Sequence, residues 1–241
     1  MAFNLSFTDI LCNKDTQLSK EQQHNLQKIT EQLLSGEPVQ YVLQQAWFAG
    51  SWFKVHSGVL IPRPETEDLC YWIANQPTLS SLSSPKILDI GTGSGCIAIT
   101  LSQLIKNAQT TAWDIAPEAL SLAKENAKAM NVSLEVIEQD ALNAPCDKEK
   151  WDIVVSNPPY ITSKEQSEME ANVLQFEPNC ALFVPENNPL IFYKAITHYA
   201  QKALVQGGIL FFEINPLFVS EMKSLLAESG FTDIEVLIDR F

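Results

Sequence analysis

Residues 86–105 read KILDIGTGSGCIAITLSQLI. A run of strand length, Ile87 to Ile90, apolar except for Asp89, meets three glycines within five residues, Gly91, Gly93 and Gly95. An apolar, helix-like stretch from Cys96 to Ile105 follows directly. Glycine accepts the backbone conformations of a tight turn and lets a ligand approach the main chain closely. The helix that opens behind such a turn presents unpaired N–H groups to an anion. This one stretch predicts a strand, a glycine loop and a helix, the first unit of a parallel α/β sheet.

The rest of the chain repeats that alternation. Strands are predicted over Thr110–Trp113, Leu134–Ile137, Asp152–Ser156 and Ile209–Ile214, with a short one near Ile234–Ile238. Pro117 opens a helix at the favoured first position, with Leu120, Ala123 and Ala127 on one face. Helices are also expected over Leu190–Leu204 and Phe218–Ser229, with Gly207-Gly208 turning the chain into the strand that starts at Ile209. Upstream, residues 1 to about 40 look helical. Ser19 and Gln22 have capping-box spacing, Leu26, Ile29 and Leu33 recur at helical intervals, and Gly36 is the stop. Trp47 to Val55 reads as an aromatic β-hairpin that packs rather than binds a ligand. IPRPETE, residues 61–67, reads as a stiff extended entry to a helix carrying Leu69, Trp72 and Ile73, and residues 80–85 read as a loop. The expected division is an N-terminal helical domain over 1–45, a hairpin and linker over 46–64, and a catalytic domain over 65–241.

Composition narrows the function. Asp plus Glu number 29 against 16 Lys plus Arg, a net charge of −13. That balance argues against unspecific nucleic-acid binding, which needs cations to replace phosphate counterions. Five cysteines without close spacing and three scattered histidines predict buried free thiols and no metal site. No apolar run is long enough to span a bilayer, and the N-terminus lacks the pattern of a signal peptide. A cytoplasmic protein with no membrane partner is expected.

In open α/β sheets, ligands sit beyond the carboxyl ends of the strands. Those ends carry Gly91-Thr92-Gly93-Ser94-Gly95, then Asp114-Ile115, then Asp140-Ala141, then Asn157-Pro158-Pro159-Tyr160. Asp114 lies nineteen residues after Gly95, which suits a carboxylate accepting from both hydroxyls of a ribose. Asp140 can accept from an adenine amino group or pair with a neighbouring donor. Gly93 to Ala98 also fits the G-x-G-x-x-A dinucleotide fingerprint, so the first strand ends leave a dinucleotide and S-adenosyl-L-methionine both open.

The fourth strand end separates them. VVSNPPY, residues 154–160, runs from a buried strand into two prolines, which offer no N–H and fix their own φ. Hydride transfer has no use for such a corner; methylation of a planar nitrogen does. An amide or exocyclic amine nitrogen is a poor nucleophile because its lone pair is delocalised. The Asn157 side-chain oxygen and the Pro158 carbonyl can each accept one N–H of a substrate –NH2. Two fixed acceptors aim the lone pair and stabilise the positive charge that grows on nitrogen. Tyr160 offers a flat face for stacking.

With these residues, DIGTGSG and SNPPYI, the chain resembles a class I S-adenosylmethionine-dependent methyltransferase. The segments GEPVQYVLQQAWFAGSWFKVHSGVLIPRPETE (36–67) and EPNCALF (177–183) are similar to those of the peptide chain release factor glutamine methyltransferases, PrmC or HemK, from about residue 18 to about residue 214. The resemblance implies a Rossmann-like, mostly parallel seven-stranded sheet. It also implies methylation of the glutamine amide in the Gly-Gly-Gln motif of bacterial class 1 release factors. On the matched positions, Gly91, Thr92, Gly93, Ser94 and Gly95 would hold the methionine part of the cofactor. Asp114 with Ile115 would hold the ribose side, Asp140 with Ala141 would border the adenine, and Asn157 would touch both cofactor and substrate. Asn157, Pro158, Pro159 and Tyr160 would hold the glutamine amide, and Arg63, Pro64, Glu65 and Thr66 would form a pocket wall or pack the linker. After Phe212-Glu213-Ile214 the family continues with glycine; here Asn215-Pro216 follow. The alternatives are an N-methyltransferase for an exocyclic amino group of a nucleic-acid base, and a binding protein that has lost the chemistry.

Overall fold

The computed structural model describes residues 7–12 and 17–239. Expectations for residues 1–6, 13–16 and 240–241 lie outside the described residues. Helix α1 covers Phe7–Leu11, α2 Lys20–Leu34 and α3 Val39–Val42. The predicted capping box opens α2: Ser19 Oγ accepts from Gln22 N–H at 3.2 Å and Gln22 Oε1 accepts from Ser19 N–H at 2.9 Å. Gly36, with φ +87°, follows its end in the left-handed conformation that closes helices.

Strands β1 (Gln45–Phe48) and β2 (Ser51–Lys54) form the predicted hairpin. Its two turn residues, Ala49 and Gly50, both have positive φ, as a type I′ turn requires. Alternation then sorts the aromatics. Phe48 and Phe53 stack edge to face and are fully buried, whereas the Trp47–Trp52 pair faces solvent.

Helix α4 spans Pro64–Ala74, with Pro64 in its first turn. The α/β part follows as β3 (Lys86–Ile90), α5 (Cys96–Leu104), β4 (Gln109–Asp114), α6 (Pro117–Ala129), β5 (Leu134–Glu138) and β6 (Trp151–Ser156). Short helices α7 (Ala171–Phe176) and α8 (Asn179–Leu182) lead to α9 (Ile191–Ala203), β7 (Leu204–Phe212) and α10 (Val219–Glu228). The sheet order is β5-β4-β3-β6-β7 and every pairing is parallel. Chain order therefore reverses direction between β3 and β6, and a crevice opens there at the strands' carboxyl ends.

Two apolar layers clamp the sheet. Ile87, Ile153 and Val155 pack under α4 and α5 with Leu69, Ile73, Ile97 and Leu101. Leu88, Ile90 and Val154 face the other way, onto Ile196, Tyr199 and Ala203 of α9. Both faces are covered, which is why these strands read as continuous apolar runs.

Three expectations are corrected. The sheet has five strands among the described residues, not seven, and residues 234–238 form no strand. They find no ladder partner, and Ile238 is 92% exposed; β-forming side chains alone do not make a strand without one. Secondly, β7 starts at Leu204, ahead of the glycine pair. Trp151 pairs with Leu204 and Ile153 with Ile209, so the extra residues of β7 bulge out where Gly207 has φ +79°. Thirdly, all five cysteines are free, but only Cys70 and Cys96 are buried; Cys12, Cys146 and Cys180 are exposed. No described helix is long and apolar enough to cross a membrane.

Candidate functional site

The loop after β3 is held from below by its neighbours. Gly91 N–H and Thr92 N–H both donate to the Trp113 carbonyl at 2.9 Å, and Gly93 N–H donates to Asp114 Oδ2 at 2.9 Å. Gly95 N–H closes back on the Thr92 carbonyl. The loop is thus not a set of free donors, as its composition suggests; most of its N–H groups fix its own shape. Among the described residues no backbone acceptor meets the N–H of Ser94 or Cys96, which leaves both as donors for an anion.

Asp89 lies directly beneath. It is fully buried, and its Oδ2 accepts from Thr92 Oγ1 at 2.6 Å and from Ala98 N–H at 3.2 Å. Its Oδ1 is buried with no partner. Burial pushes its carboxyl up to about 7; the bonds from Thr92 and Ala98 pull the other way. An unpaired carboxylate oxygen below an open loop is what a cationic ligand would satisfy.

A cavity opens above the crevice. Gly91, Thr92, Gly93, Ser94, Asp114, Ile115, Asp140 and Ala141 line it on one side, and Asn157, Pro158 and Pro159 on the other. Arg63 and Thr66 contribute to its wall, as does the preceding run from Gly58 to Pro62. Gly95 stands apart. A Cβ there would lie 3.1 Å from Ile99 Cδ1 and 3.2 Å from Ala123 Cβ, so this glycine serves the close approach of α6 to α5. Asp140 takes the neighbouring-donor option: its oxygens accept from Leu142 N–H at 2.8 Å and Asn143 Nδ2 at 2.5 Å, which caps a short 3-10 turn.

The loop after β6 is anchored on both sides of its prolines. Ser156 Oγ donates to the Ile90 carbonyl at 2.7 Å, and the Ser156 carbonyl accepts from Glu213 N–H at 3.1 Å. Ile161 bridges to the segment at Leu182–Val184 through two backbone bonds of 2.9 Å. Asn215 fastens the turn from beneath, donating to the Tyr160 carbonyl at 3.3 Å and to Glu165 Oε1 at 2.8 Å. The Asn157 amide donates through Nδ2 to Thr66 Oγ1 at 3.3 Å, and Tyr160 O–H donates to Glu213 Oε1 at 3.2 Å. A second pocket adjoins the first. Tyr160, Glu65, Glu213 and Val173 line it, and Asn157, Arg63, Leu60 and Ala181 form walls of both.

Composition did not reveal four participants. Glu177, 5% exposed, pairs with Arg63 and accepts Ile61 N–H at 3.1 Å, so the segments IPRPETE and EPNCALF lock together across the site. Glu213 collects the hydroxyls of Thr66 and Tyr160. Asn126, buried within α6, accepts Lys54 N–H at 2.8 Å and donates to the carbonyls of Lys54 and Ser94 at 3.1 and 2.9 Å, tying the hairpin to the glycine loop. Tyr193 O–H donates to the Glu213 carbonyl at 3.0 Å. The one sequence signal for Asn126 is an amide amid a helical run, a residue type that weakens helices unless its side chain is used. Of the expected wall residues, Arg63 and Thr66 reach the cavity, Glu65 faces the second pocket, and Pro64 is exposed at the start of α4.

Residues 76–177 match the methyltransferase small domain and residues 1–43 match the PrmC N-terminal domain. The solved structures it resembles include ribosomal protein L11 methylase from Lactobacillus delbrueckii subsp. bulgaricus. That likeness has a TM-score of 0.52 at 21% identity over 76% of this chain and 77% of that one. The hMettl16 catalytic domain, solved with an RNA hairpin, gives a TM-score of 0.58 at 18% identity, over 75% and 68%. Likeness at that distance speaks for the class I methyltransferase fold alone. Among curated relatives, the release factor glutamine methyltransferase of Bacteroides thetaiotaomicron is 42% identical over 97% of this chain and 83% of its own length. That of Flavobacterium psychrophilum is 41% identical over 94% and 80%. Identity of this degree, sustained along nearly the whole sequence, places the chain in the release factor glutamine methyltransferase family.

Proposed function

We propose that this protein transfers a methyl group from S-adenosyl-L-methionine to the side-chain amide nitrogen of glutamine in the Gly-Gly-Gln motif of bacterial class 1 peptide chain release factors. The observation that carries this reading is the position of Asn157, which forms a wall common to two adjoining pockets. The pocket on the glycine-loop side is the cofactor's; the pocket beside Tyr160 is the acceptor's.

The residues present fit the cofactor. It carries an ammonium group, a sulfonium and a carboxylate, and it supplies an electrophilic methyl group. Asp89 offers a buried unpaired oxygen below the loop, Ser94 and Cys96 offer N–H groups, and Asp114 and Ile115 stand at the end of the next strand. Asp140 and Ala141 border the far end of the same cavity. In this reading, Gly91 to Ser94 cradle the methionine part and Asp114 takes the ribose.

At the acceptor side, Asn157 Nδ2 is occupied by Thr66, which leaves Oδ1 for the substrate. Asn157 Oδ1 and the Pro158 carbonyl each accept an N–H of the glutamine amide. The two prolines hold that carbonyl still, and Tyr160 gives the amide plane a surface. Stabilisation of the charge that develops on nitrogen, together with alignment, then supplies the catalysis. No strong base is needed beforehand, because the nitrogen proton becomes acidic as the methyl bond forms.

The net charge of −13 favours a protein over bare nucleic acid as substrate. Our proposed division places residues 1–45 and 46–64 as the parts that frame that substrate and 65–241 as the catalytic part. The test is mass spectrometry of a purified class 1 release factor incubated with this protein and cofactor. A methyl mass shift on the Gly-Gly-Gln peptide is expected; methylation of an RNA or DNA base in its place would transfer the reading to the base-modifying alternative.

A further inference from the structure

We propose that Thr66 and Glu213 are positioning residues that fix which way round the Asn157 amide faces, and so make the acceptor site selective for an –NH2 group. The inference rests on the functional reading above and adds residues to it.

An amide side chain has nearly the same shape when turned by half a rotation, but its hydrogen bonding is inverted. With Oδ1 toward the substrate, Asn157 accepts from an incoming –NH2. With Nδ2 there, it would repel one. Shape cannot choose between the two; a polar neighbour with a defined direction can.

Thr66 has that direction. It is 3% exposed, and its Oγ1 donates to Glu213 Oε2 at 2.6 Å. A threonine hydroxyl has one proton. Once that proton points at the carboxylate, Oγ1 has only lone pairs to offer, and Asn157 Nδ2 at 3.3 Å must be the donor. Glu213 thereby sets Thr66, and Thr66 sets Asn157. The carboxylate is held in its turn: Tyr160 O–H donates to its other oxygen, Tyr193 O–H donates to its backbone carbonyl, and its N–H donates to Ser156. Burial pushes the Glu213 carboxyl up, and the bonds from Thr66 and Tyr160 oppose that shift by stabilising the charged form the arrangement requires.

The three members come from separate elements. Thr66 lies in the first turn of α4, Asn157 follows β6 and Glu213 follows β7. None of the hydrogen bonds among them is needed to form any one element.

A double-mutant cycle and one spectroscopic measurement test the proposal. Thr66→Val keeps the shape and removes the hydroxyl, and Thr66→Ser keeps the hydroxyl. Methyl transfer to a purified release factor should fall about 10–100-fold in kcat for Thr66→Val, as for other small misplacements of a reacting group. Affinity for S-adenosyl-L-methionine, by titration calorimetry, should stay within about 3-fold, since valine keeps the shape of the cavity wall that Thr66 contributes. Thr66→Ser should recover most of the lost kcat, and Glu213→Gln, whose own amide can turn over, should lose activity in the same way as Thr66→Val. In an Asn157→Ala background, Thr66→Val should have no further effect. An equal loss in both backgrounds, or a parallel loss of cofactor affinity, would overturn the inference. Independently of activity, the Asn157 side-chain NH2 signals of 15N-labelled protein should include one proton protected from exchange, and Thr66→Val should abolish that protection. Unprotected protons in the unsubstituted protein also overturn it. Failure of the unsubstituted protein to methylate any release factor counts against the function, while the NMR measurement still decides the amide's orientation.

Discussion

The glycine loop and the Asn157 corner close the ends of adjacent strands, yet they are built in opposite ways. The loop takes its partners from the β-α-β unit that contains it: Asp89, Trp113, Asp114 and Ala98 lie within a short stretch of chain around it. The corner recruits Thr66 from far upstream and Glu213 and Asn215 from downstream. A loop built locally forms with its supersecondary unit, and backbone conformation alone gives it most of its shape. A corner assembled from distant segments exists only when the sheet, α4 and the β7 end have all docked. Binding of the cofactor and alignment of the acceptor should therefore respond to different substitutions.

The largest effect expected is at the corner. Asn157→Ala should lower turnover by at least ~100-fold, as for loss of one preorganised polar contact, while cofactor affinity measured by calorimetry changes little. Unchanged turnover would remove the corner's assigned role. Asn126→Ala tests whether the loop is as self-contained as the comparison holds, because this residue links Ser94 to the hairpin. Loss of three hydrogen bonds, one buried and two part-buried, should cost about 2–3 kcal/mol in denaturant unfolding. Cofactor affinity should weaken with it, and a purely global loss of stability would mean that the hairpin does not support the loop.

Gly95→Ala separates two glycines of the same motif. Its φ of +82° and the contacts a Cβ would make with Ile99 and Ala123 predict a loss of about 1–2 kcal/mol in thermal unfolding. At Gly91, by contrast, a Cβ would meet nothing within 4 Å, so Gly91→Ala carries backbone strain without that clash. Equal losses at both positions would show that packing on α6 is not what Gly95 provides.

The last expected effect is a pH slope. The Asp89 carboxyl stands at about 7 in the folded protein against an ordinary 3.8, so between those values the folded chain holds a proton that the unfolded chain has released. Stability from this group is therefore present at low pH and is lost as pH rises through that window. Asp89→Asn should remove the slope, so that the Tm of the unsubstituted protein falls relative to the variant between about pH 4 and pH 7, and no further above it. A flat difference would mean that Asp89 is paired and charged in the fold.

Reading the sequence located the strand ends well and their partners poorly. The parallel core, the hairpin and the Ser19 cap follow from period, turn residues and capping spacing, which are short-range signals. Asn157 was legible because two prolines at the end of an apolar run are chemically peculiar in themselves. Glu177, Glu213 and Asn126 were not, because a single Glu or Asn looks alike whether solvated or buried; its meaning depends on what lies opposite. The absent strand at Ile234–Ile238 is the same lesson reversed: its residues favour a strand, and no ladder partner receives them.

The sequence by itself determined the order of elements, the backbone of the glycine loop and the rigidity of the Asn-Pro-Pro-Tyr turn, because each depends on torsions and hydrogen bonds within a few residues. Only the tertiary structure decided that Arg63 meets Glu177 and that Glu213 reaches Asn157 through Thr66. Those contacts join side chains on different elements. Their existence follows from how the helices pack on the sheet, and chain order does not encode that packing in any local pattern.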